Sequence, residues 1–181
     1  MSGYDQEARG YCSQRMDKRD IRRSHVPRSV RRFSLLSGVA LCAILGGPIA
    51  GAQASDNSIR ATLNSFAPKI VKDENAVRNG LTEYPKGKSK PLVKALTHEV
   101  GDLHSLKSKL AHESASSAAG AKGKTDIVKG LGLIAKAYST LRKDVLAVHG
   151  GPVPKAQVNS AVKTDKKGRS KLLAGLHLLG G

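Results

Sequence analysis

The sequence predicts an all-α protein: an antiparallel up-down-up-down four-helix bundle behind a cleaved signal peptide. Three observations carry that expectation. Four stretches repeat apolar residues at three- and four-residue steps, which puts those side chains on one helix face. The connections between them are short and hold Gly, Pro and Ser, which suits antiparallel neighbours and leaves no length for crossovers. No stretch alternates apolar and polar residues with period two, so nothing in the chain is patterned as a sheet. Composition agrees. Aromatics are 3% of the 181 residues and Trp is absent, so a core must come from Leu, Ile, Val and Ala, and the many Ala and Lys favour helix over strand. The length fits one domain.

Residues 1–54 read as a basic n-region and secretory signal peptide. Arg22, Arg23, Arg28, Arg31 and Arg32 precede the apolar run in 33–54, FSLLSGVALCAILGGPIAGAQA. Ala52 and Ala54 supply the small residues a signal peptidase reads, which places cleavage before Ser55. The apolar core of 35–45 is short for a bilayer span, and Gly46-Gly47-Pro48 interrupts it. A membrane anchor through uncleaved residues 33–54 is the alternative. Arg31-Arg32 followed by Phe33 and Leu35 resembles a twin-arginine export signal, but Ser34 stands where that motif takes an apolar residue. Leu41 before Cys42 departs from a lipoprotein signal. The n-region is long, and Met16 or Val30 are alternative starts of translation. Cys12 and Cys42 both precede the cleavage point, so the mature chain has no disulfide, thiolate nucleophile or cysteine metal site.

The mature domain, 55–181, carries helices expected at about 58–82, 91–114, 125–149 and 154–179. In the first, Ile59, Leu63, Phe66, Ile70, Val77 and Leu81 share a face, and Pro68 should kink the helix or start a new one. Residues 84–90 form a loop, and Pro91 suits the first turn of the second helix. There Leu92, Leu96, Leu103, Leu106 and Leu110 make the clearest stripe in the chain, with Glu99 near its middle. This helix is expected to fray in 114–117, and 118–124 reads as flexible, with Thr125 as N-cap of the third helix beside Asp126. Ile127, Leu131, Ile134, Tyr138, Leu141, Val145 and Val148 form its stripe until Gly150, Gly151 and Pro152 end it. In the fourth, Val158, Val162, Leu172, Leu176 and Leu179 share a face that Asp165 and Arg169 interrupt. Gly168 between them, costing about 1 kcal/mol against Ala, predicts a local break. No repeat is evident.

The polar residues on the expected inner faces are Asp73 or Glu74, Glu99, Tyr138, Asp165 and Arg169. A buried carboxylate needs a partner, and Arg169 or the Tyr138 hydroxyl could supply one. The expected use is an ion-pair network that fixes helix register. Glu99, Tyr138, Asp165 and Arg169 are also the candidate ligand-binding residues if the cluster holds a small molecule or metal. Ferritin-like di-metal bundles need Glu-x-x-His on two helices and a Glu on each of two others. Glu99 has Asp102 at that spacing and the third stretch has no Glu, so the pattern does not fit. His98 and Asp102 stand one turn apart, yet on the outward face, and His104, His112, His149 and His177 share no ligand spacing. No metal site and no cofactor is expected. Neither a Gly-x-Ser-x-Gly elbow, a phosphate loop nor a Cys-x-x-Cys-His haem site is present, so no catalytic motif supports an enzyme.

The net charge is +17 and the pI near 10.2. Nine basic residues against four acids lie before Ser55, which leaves 22 against 10 in the mature domain, mostly as Lys. Lys163, Lys166, Lys167 and Lys171 are the candidate basic surface, densest near Arg169; Lys86, Lys88 and Lys90 form a second group and Lys122 with Lys124 a third. The expectation is a charge distributed over both ends of the bundle and not focused into a stripe. With few aromatics and an export signal, nucleic acid is not an expected partner. Anionic envelope polymers or lipid headgroups are. The sequence thus predicts a secreted or periplasmic bacterial protein with a non-enzymatic binding or structural role at the cell envelope or outside it. A ligand-binding or metal-binding bundle around Glu99 is the rival.

Overall fold

The computed structural model describes residues 56–180, of which 87% are helical; no strand occurs among them. Four helices pack against each other: α1 (Asn57–Glu83), α2 (Ser89–His112), α3 (Ala118–Ala147) and α4 (Lys155–Leu178). Residues 1–54, expected to be a signal peptide, with both cysteines, Ala52 and Ala54, and Ser55 after them lie outside the described residues.

The predicted stripes meet in one core. Ile59, Leu63 and Ile70 of α1, Leu92, Leu96, Leu103, Leu106 and Leu110 of α2, Ile127, Leu131 and Ile134 of α3, and Val158 and Leu172 of α4 are all almost wholly removed from water. Each such aliphatic side chain contributes about 2 kcal/mol by burial, and together they close a core within residues 56–180. Val148 and Val162, expected in the stripes, are only half-buried.

α1 runs unbroken through Pro68, so the expected restart does not occur. Phe66, Ala67 and Ile70 are buried on either side of it while Pro68 itself is exposed, so packing carries the helix past one missing backbone hydrogen bond. The chain leaves α1 through a 3-10 turn, Tyr84–Lys86, and Gly87 takes the left-handed conformation that lets it reverse. The Tyr84 hydroxyl donates to the Gly151 carbonyl, tying this turn to the one between α3 and α4. At the other end, Thr62 donates to Glu113 at 2.7 Å and the Lys124 ammonium to the Glu113 carbonyl at 2.7 Å.

Two expectations along the chain are corrected. α3 begins seven residues before Thr125, at Ala118. Its cap is Ser117, whose hydroxyl accepts from the Gly120 N–H at 2.8 Å, and the supposedly flexible 118–124 is its first two turns. The break expected at Gly168 is absent, because α4 is continuous from Lys155 to Leu178. A Cβ on Gly168 would lie 2.8 Å from the Gly130 carbonyl oxygen, and one on Gly175 2.5 Å from that of Gly123. The helices meet backbone to backbone, and that contact offsets the poor helix propensity. A repeat unseen in the sequence underlies it. Gly123, Gly130 and Ala137 on α3, and Ala161, Gly168 and Gly175 on α4, are buried small residues at steps of seven.

Candidate functional site

The polar residues on the inner faces gather around Arg169. Its guanidinium donates from Nε to Asp165 Oδ2 at 2.9 Å, one turn back on α4. Nη2 donates to Glu74 Oε1 at 2.9 Å on α1 and to the Tyr138 hydroxyl at 3.1 Å on α3. Glu99 completes the set from α2 and is 0% exposed, so all four helices contribute. Of the pair Asp73 and Glu74, it is Glu74 that points inward; Asp73 is half-buried, and burial first and then the neighbouring Asp102 carboxyl of α2 raise its pKa.

The electrostatics follow from too few cations for the carboxylates. Burial pushes Glu74 and Asp165 above the ordinary carboxyl range, against the pull of Arg169. Glu99 is pushed up to about 9, by burial first and then by Glu74 and Asp73, with Arg169 opposing. Neither Glu99 oxygen has a hydrogen-bonding partner among the described residues. Burial also raises the Tyr138 phenol, so it stays protonated and can donate. Burial disfavours the charge on Arg169 too, but Tyr138, Asp165 and Glu74 around it hold its pKa above the usual value. At neutral pH the arrangement is one fixed cation, shared by Glu74, Asp165 and the Tyr138 oxygen, with a neutral acid, Glu99, beside it.

The four candidate ligand-binding residues, Glu99, Tyr138, Asp165 and Arg169, are thus brought together. Among the described residues no group of three or more His, Cys, Asp or Glu is arranged to hold a metal ion. His98 is exposed on the wall of an open groove of about 560 Å³ between α1 and α2, which Lys72, Asp73, Gly80 and Lys94 also line. Its neighbour Asp102 is half-buried against Asp73, not fully outward as its spacing suggested.

The surface has its own order. Of the eighteen lysines among the described residues, seventeen are exposed, and only Lys124 is half-buried. None of the ten acids there is exposed, and neither is any of the four arginines. Lys163, Lys166, Lys167 and Lys171 all face solvent. Half-buried acids serve as local partners: Glu83 for Lys86 and Lys88 at 2.6 and 3.0 Å, Asp126 for Lys171 at 3.3 Å. This segregation escaped sequence reasoning because the acids fall on and beside the stripes, and only the packed helices reveal which flanks are covered. The Asp56 carboxylate was missed as well: it accepts from the Ser117 hydroxyl at 3.1 Å and the Ser116 N–H at 3.3 Å, fastening the start of α1 to that of α3.

No known protein family, curated protein or solved structure matches the chain. No described helix is long and apolar enough to cross a membrane.

Proposed function

We propose that this is an exported bacterial protein with a non-enzymatic binding or structural role at the cell envelope, holding anionic polymers or lipid headgroups on a coat of lysine. One observation carries the reading: among the described residues seventeen lysines face solvent and no acid is exposed between them. Such a surface sustains a positive potential on every side and recruits polyanions by long-range attraction. Export rests on the Arg-rich n-region, the apolar run in 33–54 and the Ala52-x-Ala54 site. The scaffold is an antiparallel up-down-up-down bundle. Opposed chain directions are supported by the register in which Gly123 faces Gly175 while Gly130 faces Gly168. The buried network around Arg169 then fixes helix register.

Retention of the mature chain on an anionic polymer or anionic vesicles, followed against salt, tests the reading. Binding at low ionic strength that is lost as the Debye length shrinks from about 30 to about 8 Å is expected. No retention at low salt sinks it. Mass spectrometry of the natively isolated protein tests export, since a chain starting at Ser55 is required.

A second reading places a small ligand at Glu99, favoured by its two buried carboxylate oxygens, which have no hydrogen-bonding partner among the described residues. A bound small molecule in the native mass spectrum, lost in Glu99→Leu with helicity unchanged, would select this reading over a register device.

A further inference from the structure

Two rows of lysines run side by side along the outward face of α3 and α4. On α3, Lys122, Lys129, Lys136 and Lys143 are all exposed and recur every seven residues. Seven residues are almost two helical turns, so the four share a face at intervals of about 10 Å. On α4, Lys163, Lys167 and Lys171 are exposed and recur every four residues, again on one face. Asp126 lies one turn from both Lys122 and Lys129, and Lys171 Nζ meets its carboxylate at 3.3 Å. That bridge puts the two rows on the same flank of the helix seam. The seam is narrow because Gly123, Gly130, Gly168 and Gly175 bring the backbones into contact. Seven of the exposed lysines therefore form a double stripe on this flank, an ordering within the wider lysine coat that the sequence did not suggest.

We propose that this double row is the face that docks on anionic lipid headgroups; the proposal rests on the envelope-binding reading above and names the face and the partner. The two rows on adjacent helices present their charges on one flank. A lipid surface can meet both rows at once, whereas a single polyanion strand follows one row. Lysine suits that partner, since a point charge on a flexible stem adapts to mobile headgroups and its methylenes can rest on the acyl boundary. The features that read a nucleic acid are missing from the described surface. No arginine is exposed to grip a phosphate with two bonds, and Phe66, Tyr84 and Tyr138 are all buried, so no base can stack.

The test uses residues 55–181, whose helices bury a complete core among themselves, in sedimentation with phosphatidylglycerol–phosphatidylcholine vesicles. Two variants with equal loss of charge are compared, K122Q/K129Q/K136Q/K143Q on the double row and K69Q/K72Q/K90Q/K94Q on α1 and α2. All eight lysines are exposed, so both variants keep the fold, which circular dichroism checks. At about fivefold per lysine at the membrane surface, the first variant loses about a hundredfold or more in vesicle binding and the second about tenfold or less. Equal losses overturn the face and leave the lysine-coat reading standing. Retention on soluble dextran sulfate with no vesicle binding overturns lipid as the partner. Failure to bind either polyanion overturns the proposal together with the reading beneath it.

Discussion

Arg169 on α4 and Glu74 on α1 are joined by a buried ion pair, Nη2 to Oε1 at 2.9 Å, between residues 95 positions apart. The same guanidinium holds Asp165 and Tyr138, so one side chain gives three helices a common register. Arg169→Met should therefore be severe. It strands Glu74 and Asp165 in the core, and loss of one partner of a buried pair costs about 3–5 kcal/mol. Replacing all three together, with R169M, E74L and D165L, should recover much of that loss, because no charge is left to desolvate. Urea unfolding of the two variants measures the contrast. A cost below about 1 kcal/mol for Arg169→Met alone would show that the pair does not hold the bundle.

Glu99 makes stability depend on pH. Its carboxyl titrates near about 4.3 in an unfolded chain, and burial pushes it up to about 9 in the folded one. Between those values the folded protein keeps a proton that the unfolded chain has released. Its contribution is complete below pH about 4 and is lost as pH rises through about 9, at a slope of at most about 1.4 kcal/mol per unit. Glu99→Gln removes this term and should give a flatter profile. Wild type and variant should be alike at pH 4, with the variant increasingly the more stable at pH 7 and pH 9. Glu74 and Asp165, also raised by burial, keep some slope in the variant. Parallel profiles across that range would mean that Glu99 is not held neutral.

Two mid-helix glycines should respond to alanine with opposite sign. Gly101 on α2 has open space where a Cβ would go, so Gly101→Ala should stabilise by about 0.5–1 kcal/mol through the unfolded chain and helix propensity. At Gly168 the new Cβ would meet the Gly130 carbonyl oxygen and Ile134 Cγ1, each at 2.8 Å. Forcing the α3–α4 seam apart should outweigh the propensity gain and cost about 1–3 kcal/mol. Thermal melts of the two variants decide it; a gain at both positions would remove the close seam from the fold.

These glycines mark where local pattern stops being legible. The leucine stripe of α2 and its three counterparts could be read because burial of a helix face imposes a fixed step on apolar residues. Arg169, Asp165, Tyr138 and Glu99, with Asp73 or Glu74, could be read as one cluster because they are the polar residues on the inner faces, and four stripes that meet can bring such residues within reach of one another. Gly168 could not, since the same residue weakens a lone helix and permits the closest approach of two. Nor could the lysine row on α3. Lys122 to Lys143 become a surface only once α4 and Asp126 show which flank faces water, and counting charges along the chain averages that over both sides.

The start of α3 offers a test at single-residue resolution. Two hydroxyls compete for the role of cap, Ser117 and Thr125, and their bonds differ in direction. The Ser117 hydroxyl accepts from the Gly120 N–H at 2.8 Å and donates to Asp56 at 3.1 Å. The Thr125 hydroxyl donates to the Ala121 carbonyl at 2.8 Å, one turn back, as a residue inside a helix does. Ser117→Ala should therefore cost about 1 kcal/mol or somewhat more, since it frees the Gly120 N–H and one acceptor site on a buried Asp56. Thr125→Ala should be neutral or stabilise by up to about 0.7 kcal/mol, as an exposed β-branched residue gives way to the best helix former. If the costs were reversed, 118–124 would not be helix. Amide exchange of Lys122 to Thr125 gives the independent reading, with protection expected from the first two turns of a capped helix and none from a flexible linker.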